Sequence, residues 1–210
     1  MAGDPGSGFL LRATLDPRRG IADGEAVKFA YADPPYIGQA KRHYAKEAEA
    51  NGRVAAEVDH AALIARLCDE FPHGWALSCH TPSLRILLPM CPEDVRIGAW
   101  VKPFHVFKKG VRPAYAWEPV LFRGGRNAKH PPPPKGGKAT TPKDFVSANI
   151  TLKRGTVGAK PEAFCRWIFD ILGMRAEDEF HDLFPGSGAV TRAWEKWQGQ
   201  VMMELVDTHP

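Results

Sequence analysis

The apolar residues of this chain fall into short blocks of two kinds. Ala26–Ala32 is a nearly unbroken apolar run that stops at Asp33-Pro34-Pro35, the pattern of a strand buried on both faces. Trp75–Cys79, Val95–Val101, Ala116–Phe122, Phe180–Phe184 and Gln200–Val206 read as further strands. Between them lie stretches with a helical period. Asp59–Glu70 has an acidic cap and apolar residues at 63, 64 and 67. Thr81-Pro82 opens a second helix that runs to about Met90. Lys160-Pro161 opens a third, apolar at 164, 167, 168, 171 and 172 and closed by Gly173, and Ala189–Trp197 is a fourth. Strands alternating with helices predict an α/β fold with a mostly parallel sheet.

The 210 residues suit one domain, 1–210, and 44% hydrophobic with 25% charged residues argues against a disordered chain. Formal charge is only +4, but its distribution is uneven. Lys102–Phe145 holds ten Lys/Arg against two acidic residues, net +8, while the remainder holds 18 against 22, net −4. Within that segment, residues 123–145 carry four consecutive prolines and two Gly pairs, predicting a mobile basic loop inserted in the domain. A basic segment on a neutral-to-acidic body is the footprint of a polyanion-binding surface. The four cysteines are widely spaced in apolar contexts and are expected to be buried free thiols in a reducing compartment. There is no signal-peptide pattern and no apolar run near 18 residues, so a cytoplasmic protein without membrane contact is expected. The eight histidines lack metal-ligand spacing, so no metal is expected; His60 and His73 read as surface residues.

Two loops carry chemistry. Asp33-Pro34-Pro35-Tyr36 follows a buried strand, and in an open α/β sheet ligands bind beyond the carboxyl ends of strands. A carboxylate and a proline carbonyl form a rigid pair of hydrogen-bond acceptors, and Tyr36 adds an aromatic plate. That set suits a planar ring carrying an amino group. The second loop, Asp182-Leu183-Phe184-Pro185-Gly186-Ser187-Gly188, again joins strand to helix. Its glycines let backbone approach a ligand at an electropositive helix start. Glu204, about 20 residues on in a predicted strand, is placed to hold ribose hydroxyls. No Gly-Lys-Ser/Thr follows, which argues against a nucleoside triphosphate loop.

Asp33-Pro34-Pro35-Tyr36 resembles the catalytic motif of the S-adenosylmethionine-dependent amino methyltransferases that modify exocyclic nitrogens of nucleic-acid bases. Asp182–Gly188 is similar to their cofactor motif. The catalytic motif comes first, an order similar to the permuted β class of DNA methyltransferases and to the MT-A70-like group. Lys160-Pro161 resembles the motif preceding the cofactor loop, and Trp100-x-Lys102 with Glu118-Pro119-Val120-Leu121 resembles the middle strands. The resemblance covers roughly residues 27–205. It implies a Rossmann-like methyltransferase fold with circularly permuted motif order.

It also implies S-adenosylmethionine as cofactor and adenine N6 in DNA as the methyl acceptor, DNA being favoured over RNA because Tyr36 stands where MT-A70 relatives have Trp. Asp33 and Pro34 would accept the amino N–H groups, with Pro35 and Tyr36 completing the catalytic set. Cofactor contacts would come from Asp33, Lys160, Asp182, Phe184, Gly186, Ser187, Gly188 and Glu204. Nucleic-acid contacts are expected from Lys102, Lys108, Lys109, Arg112, Arg123, Arg126 and Lys129, with His43 and Tyr44 gating the base pocket. So small an enzyme is expected from a phage or prophage. With few residues after Glu204, target preference would be short, loose or supplied by a partner subunit or a second copy. Two alternatives stand beside this reading: the same chemistry on cytosine N4 or RNA adenine, and a non-catalytic nucleic-acid-binding subunit on the same scaffold.

Overall fold

The computed structural model describes residues 27–39, 57–104, 109–126, 141–151 and 159–207, with side chains described as far as Met203. Its centre is a six-stranded sheet in the order β5-β3-β4-β2-β1-β6. The strands are β1 (Lys28–Ala32), β2 (Gly74–Ser78), β3 (Arg96–Val101), β4 (Trp117–Gly124), β5 (Phe145–Ser147) and β6 (Glu179–Asp182). Only β4 runs against the others, pairing antiparallel with β2 and β3, while β1–β2, β1–β6 and β3–β5 are parallel. The sheet is thus mostly parallel, as the alternation of elements predicts.

Successive strand residues point to opposite faces, and each face builds its own core. Phe29, Tyr31, Val120 and Phe122 join Trp100 under the helices α3 (Glu162–Ile171) and α4 (Ala189–Asp207), packing on Phe164, Ile168, Phe169 and Trp194. Ala30, Trp75, Leu77 and Leu121 pack on the other face with α1 (His60–Glu70) and the short α2 (Leu84–Leu87). Burial on both faces explains why β1 reads as a continuous apolar run. Gly98 in β3 lets the core under α3 and α4 close: a Cβ there would stand 2.8 Å from the Trp167 ring of α3.

Several boundaries depart from the sequence reading. Asp59 does cap α1, its Oδ1 accepting from the Ala62 N–H at 3.0 Å. The segment after Thr81 is not one helix: 3₁₀ turns at Thr81–Ser83 and Leu88–Met90 flank the four residues of α2. Pro89 donates no N–H, so the ladder from Leu84 cannot run on through it. β6 ends at Asp182, two residues early, and β5 is a strand that the Pro/Gly-rich composition hid. Residues 123–145 are therefore not all loop, since Arg123–Gly124 belong to β4 and Phe145 opens β5; 127–140 lie outside the described residues. The expected strand Gln200–Val206 is instead the second half of α4. Its Gln, Met, Glu and Leu favour helix, and Met202 and Met203 lie exposed side by side, unlike a strand's alternation. His60 is buried, with Nδ1 2.8 Å from the Val58 carbonyl, rather than on the surface. All four cysteines are unpaired, Cys79 and Cys165 buried but Cys68 and Cys91 only half-buried. Among the described residues no helix is long and apolar enough to cross a membrane.

Beyond β4 the chain is locked to the start of β6 by a buried ion pair. Both oxygens of Asp178 engage the Arg126 guanidinium, Nη2 at 2.7 Å from Oδ1, and the same carboxylate accepts from the Arg175 N–H at 2.7 Å. Breaking a buried pair by removing one partner leaves an uncompensated charge. Asp178→Ala is expected to lower unfolding free energy by about 3–5 kcal/mol in urea titrations. A loss under about 1 kcal/mol would place the pair among screened surface bridges.

Candidate active site

The order of the strands decides where a crevice opens. From β1 the chain leaves toward α1 on one face, whereas from β6 it enters α4 on the other. Adjacent parallel strands whose connections depart to opposite faces leave a gap beyond their carboxyl ends, the position at which ligands bind in this architecture. Asp33–Tyr36 lies on one side of that gap and Asp182–Gly188 on the other.

On the β1 side the charges form a closed set. Lys160, just before α3, lies 3.0 Å from Oδ1 of Asp33 and 3.5 Å from Oε2 of Glu118. Glu118 sits at the start of the antiparallel strand β4, which brings it to the carboxyl end of the parallel strands. Its Oε1 pairs with Lys102 just after β3, and its Oε2 accepts from the Tyr36 hydroxyl at 3.0 Å. Two carboxylates and two ammonium groups thus meet with no net charge. The Tyr36 ring stacks nearly parallel on His80, centroids 5.2 Å apart, and His80 Nδ1 is 2.7 Å from the Ser83 hydroxyl. Lys160 also lies 5.4 Å from the Trp100 ring centre.

Burial and pairing compete at each group. Burial raises the Asp33 carboxyl above its ordinary value more than Lys160 draws it down, and Glu118 adds to the rise. Burial also acts to raise Glu118, but Lys160 and Lys102 outweigh it and hold that carboxyl below its ordinary value. Burial works against the Lys160 ammonium, yet Asp33 and Glu118 hold its pKa above that of a free lysine. Tyr36 is pushed well above the usual phenol value by burial and by both carboxylates. Burial lowers His80, which favours its neutral ring.

On the β6 side, Asp182 ends the strand with Oδ2 accepting from the Thr191 hydroxyl at 3.0 Å. Its Oδ1 is buried and has no hydrogen-bond partner among the described residues, and burial raises its pKa. A buried carboxylate oxygen without a donor is costly unless a ligand supplies one. The loop turns on Gly186 and Gly188, both at positive φ (46° and 70°), which lets the backbone close before α4. Ser187 is exposed and Phe184 half-buried at the mouth of the gap. A buried acceptor, a glycine turn and a helix start fit the polar end of a nucleoside-type cofactor, which Asp182, Phe184, Gly186, Ser187 and Gly188 could hold.

The remaining predicted residues separate. Lys160, expected among the cofactor contacts, lies on the β1 side of the gap, paired with Asp33 and Glu118. Glu204 is not on a strand beside the glycine loop. It lies in α4, fifteen residues from the helix start, roughly 22 Å along the axis at 1.5 Å per residue. Of the basic residues expected to meet nucleic acid, Lys102 is held by Glu118, Arg123 bridges Asp94 at 2.7 Å, and Arg126 is locked to Asp178. Lys109 and Arg112 are exposed, whereas His43, Tyr44, Lys108 and Lys129 lie outside the described residues. Sequence reasoning missed Glu118 and His80 as site residues. A carboxylate inside the apolar run Ala116–Phe122 was the available signal, since it needs partners to be buried.

No family model matches this chain, and no curated protein matches it either. The match is in three dimensions, with the crystal structure of the M1.HpyAVI–SAM complex: TM-score 0.52 at 17% identity, over 81% of this chain and 78% of that one. The two share a fold. A crystal structure of M1.HpyAVI gives a TM-score of 0.49 at 18% identity, over 82% and 78% of the two chains. The α/β class with a mostly parallel sheet, expected from the pattern of strands and helices, is thereby shown.

Glu118 sets an acid limit. A carboxyl held below its unfolded value contributes stability above that value, 4.5, and loses it as pH falls through the lower folded value. Asp33, shifted upward, acts in the opposite sense, its unfavourable ionisation growing as pH rises through its folded value. Glu118→Gln is expected to cost about 3 kcal/mol near neutral pH, with the gap to wild type narrowing below the ordinary glutamate range. Urea midpoints measured across that range check this; a gap independent of pH would contradict it.

Proposed function

We propose that this chain transfers the methyl group of S-adenosylmethionine to the exocyclic N6 amino nitrogen of adenine in DNA. The observation that carries the reading is the placement of Asp33-Pro34 across one crevice from the Asp182–Gly188 loop, at the switch point of the sheet. The fold shared with the M1.HpyAVI–SAM complex supports it, as do the motif resemblance and the permuted order of the two loops. When bound, the cofactor supplies an electrophilic methyl group on sulfur.

The residues of this chain do the rest by orientation and electrostatics. An exocyclic amine is a poor nucleophile because its lone pair is delocalised into the ring. The Asp33 carboxylate and the Pro34 carbonyl accept its two N–H groups and draw the nitrogen toward a tetrahedral, more nucleophilic geometry. As the new N–C bond forms at the expense of the methyl–sulfur bond, whose electron pair stays on sulfur, one amine proton leaves by way of Asp33. Lys160 opposes the burial that raises Asp33 and holds its carboxyl in place, while Glu118 fixes the Tyr36 hydroxyl so that its ring stands as a plate for the base. The base reaches this pocket only out of the helix stack.

The test incubates the protein with methyl-labelled S-adenosylmethionine and unmethylated DNA or RNA, digests the product and identifies the labelled nucleoside. Labelled N6-methyladenine from DNA is expected, reduced about 100-fold or more in Asp33→Ala. N4-methylcytosine, or label only in RNA, would change the substrate. No label together with no cofactor binding would overturn the reading and leave a nucleic-acid-binding scaffold.

A further inference from the structure

The two faces of the sheet are not equally covered. In the antiparallel register Ile97 opposes Leu121 and Val101 opposes Trp117, and in the parallel register Ala99 opposes Phe145. These residues therefore share the face that α1 and α2 cover over β1 and β2. Leu121 is fully buried there, but toward the sheet edge Trp117 is 38% exposed and Phe145 45%. Phe104 (54% exposed) and Tyr115 (48%) continue the series in the segments that flank the connection between β3 and β4. Among the described residues two large rings on this face, Trp117 and Phe145, are open to solvent, with Phe104 and Tyr115 exposed in the adjoining segments. They are also accompanied by positive charge: Lys109 and Arg112 are exposed in that connection, and Lys143 Nζ lies 5.5 Å from the Phe145 ring centre.

We propose that this flank is a binding track for unpaired, single-stranded DNA running outward from the Asp33 pocket. Exposed rings interleaved with cations suit bases whose faces are free, because a base inside a duplex is already stacked on its neighbours. The spacing fits a strand leading away from the pocket. Trp117 stands beside Glu118 at the carboxyl end of the sheet but on the opposite face, and β4, β3 and β5 lie two, three and four strand positions from β1, or about 10, 14 and 19 Å at roughly 4.8 Å per strand. A strand that crosses the carboxyl edge of the sheet from Asp33 would meet the rings at these distances. The charge argues against a second copy as the occupant, because a two-fold contact would set Lys109 and Arg112 against themselves.

The inference rests on the methyl-transfer reading for its direction, yet its test is independent of catalysis. Fluorescence anisotropy of the full chain would compare a labelled 12-nucleotide oligothymidine, which contains no adenine, with a duplex of equal length. The single strand is expected to bind at least tenfold more tightly. Tyr115→Ala and Phe145→Ala should each weaken it about tenfold while leaving S-adenosylhomocysteine binding intact, and Lys109→Ala should reduce the salt slope by about 0.7. Equal binding of duplex, or ring variants that bind as wild type does, would overturn the proposal. So would ring variants that turn a dimer into a monomer in sedimentation without weakening oligonucleotide binding. Methyl transfer to DNA with ring-independent binding would remove the track and leave the enzyme; ring-dependent binding with no transfer to any substrate would remove the enzyme and leave the track.

Discussion

The carboxylate of Glu118 is the point on which the candidate site depends. It is planted in an apolar strand, and its position is tolerable only because Lys102 and Lys160 neutralise it and the Tyr36 hydroxyl fills a remaining acceptor position. Those partners come from the end of β1, the end of β3 and the approach to α3, which are far apart in sequence. One side chain thereby gathers the carboxyl end of the sheet. Because Lys160 is shared with Asp33, the orientation of the Asp33 carboxylate is tied to the same group. A net charge of zero makes the burial possible, while the alternation of signs orders the members.

The antiparallel strand is what makes this arrangement reachable. If β4 ran with its neighbours, Glu118 at its start would lie at the amino end of the sheet, far from Asp33. Reversal of that one strand brings an early residue of β4 to the ends of β1, β2 and β3. The gap between β1 and β6 supplies the other half, where Oδ1 of Asp182 is buried without a hydrogen-bond partner among the described residues. The two halves thus differ in kind: one is electrostatically closed, the other incomplete.

Much of the scaffold was legible from local pattern. The unbroken apolar run of β1 and the Asp59 cap of α1 encode their own elements, because burial on both faces and a capped amphipathic period leave few other solutions. The positions of the Asp33–Tyr36 and Asp182–Gly188 loops were legible because each follows such a strand. What failed depended on distant partners. β5 exists through its register with β3, and the final apolar stretch joined α4 because helix-favouring residues carry the helix onward. Charge was the least readable signal. The count of basic residues in 102–145 is real, but Lys102, Arg123 and Arg126 are engaged by Glu118, Asp94 and Asp178, and no sequence window reveals those pairings.

The Asp33–Tyr36 and Asp182–Gly188 loops flank one gap in the sheet, and the proposed function needs both to meet one ligand. Amide NMR spectra of the chain titrated with S-adenosylmethionine test that requirement most directly. The account predicts shifts concentrated in Phe184–Ala189 together with Asp33, Tyr36 and their neighbours, saturating along a single binding curve. Shifts confined to the separate hollow between Ile37, His60 and Met90, or no shifts at all, would contradict it.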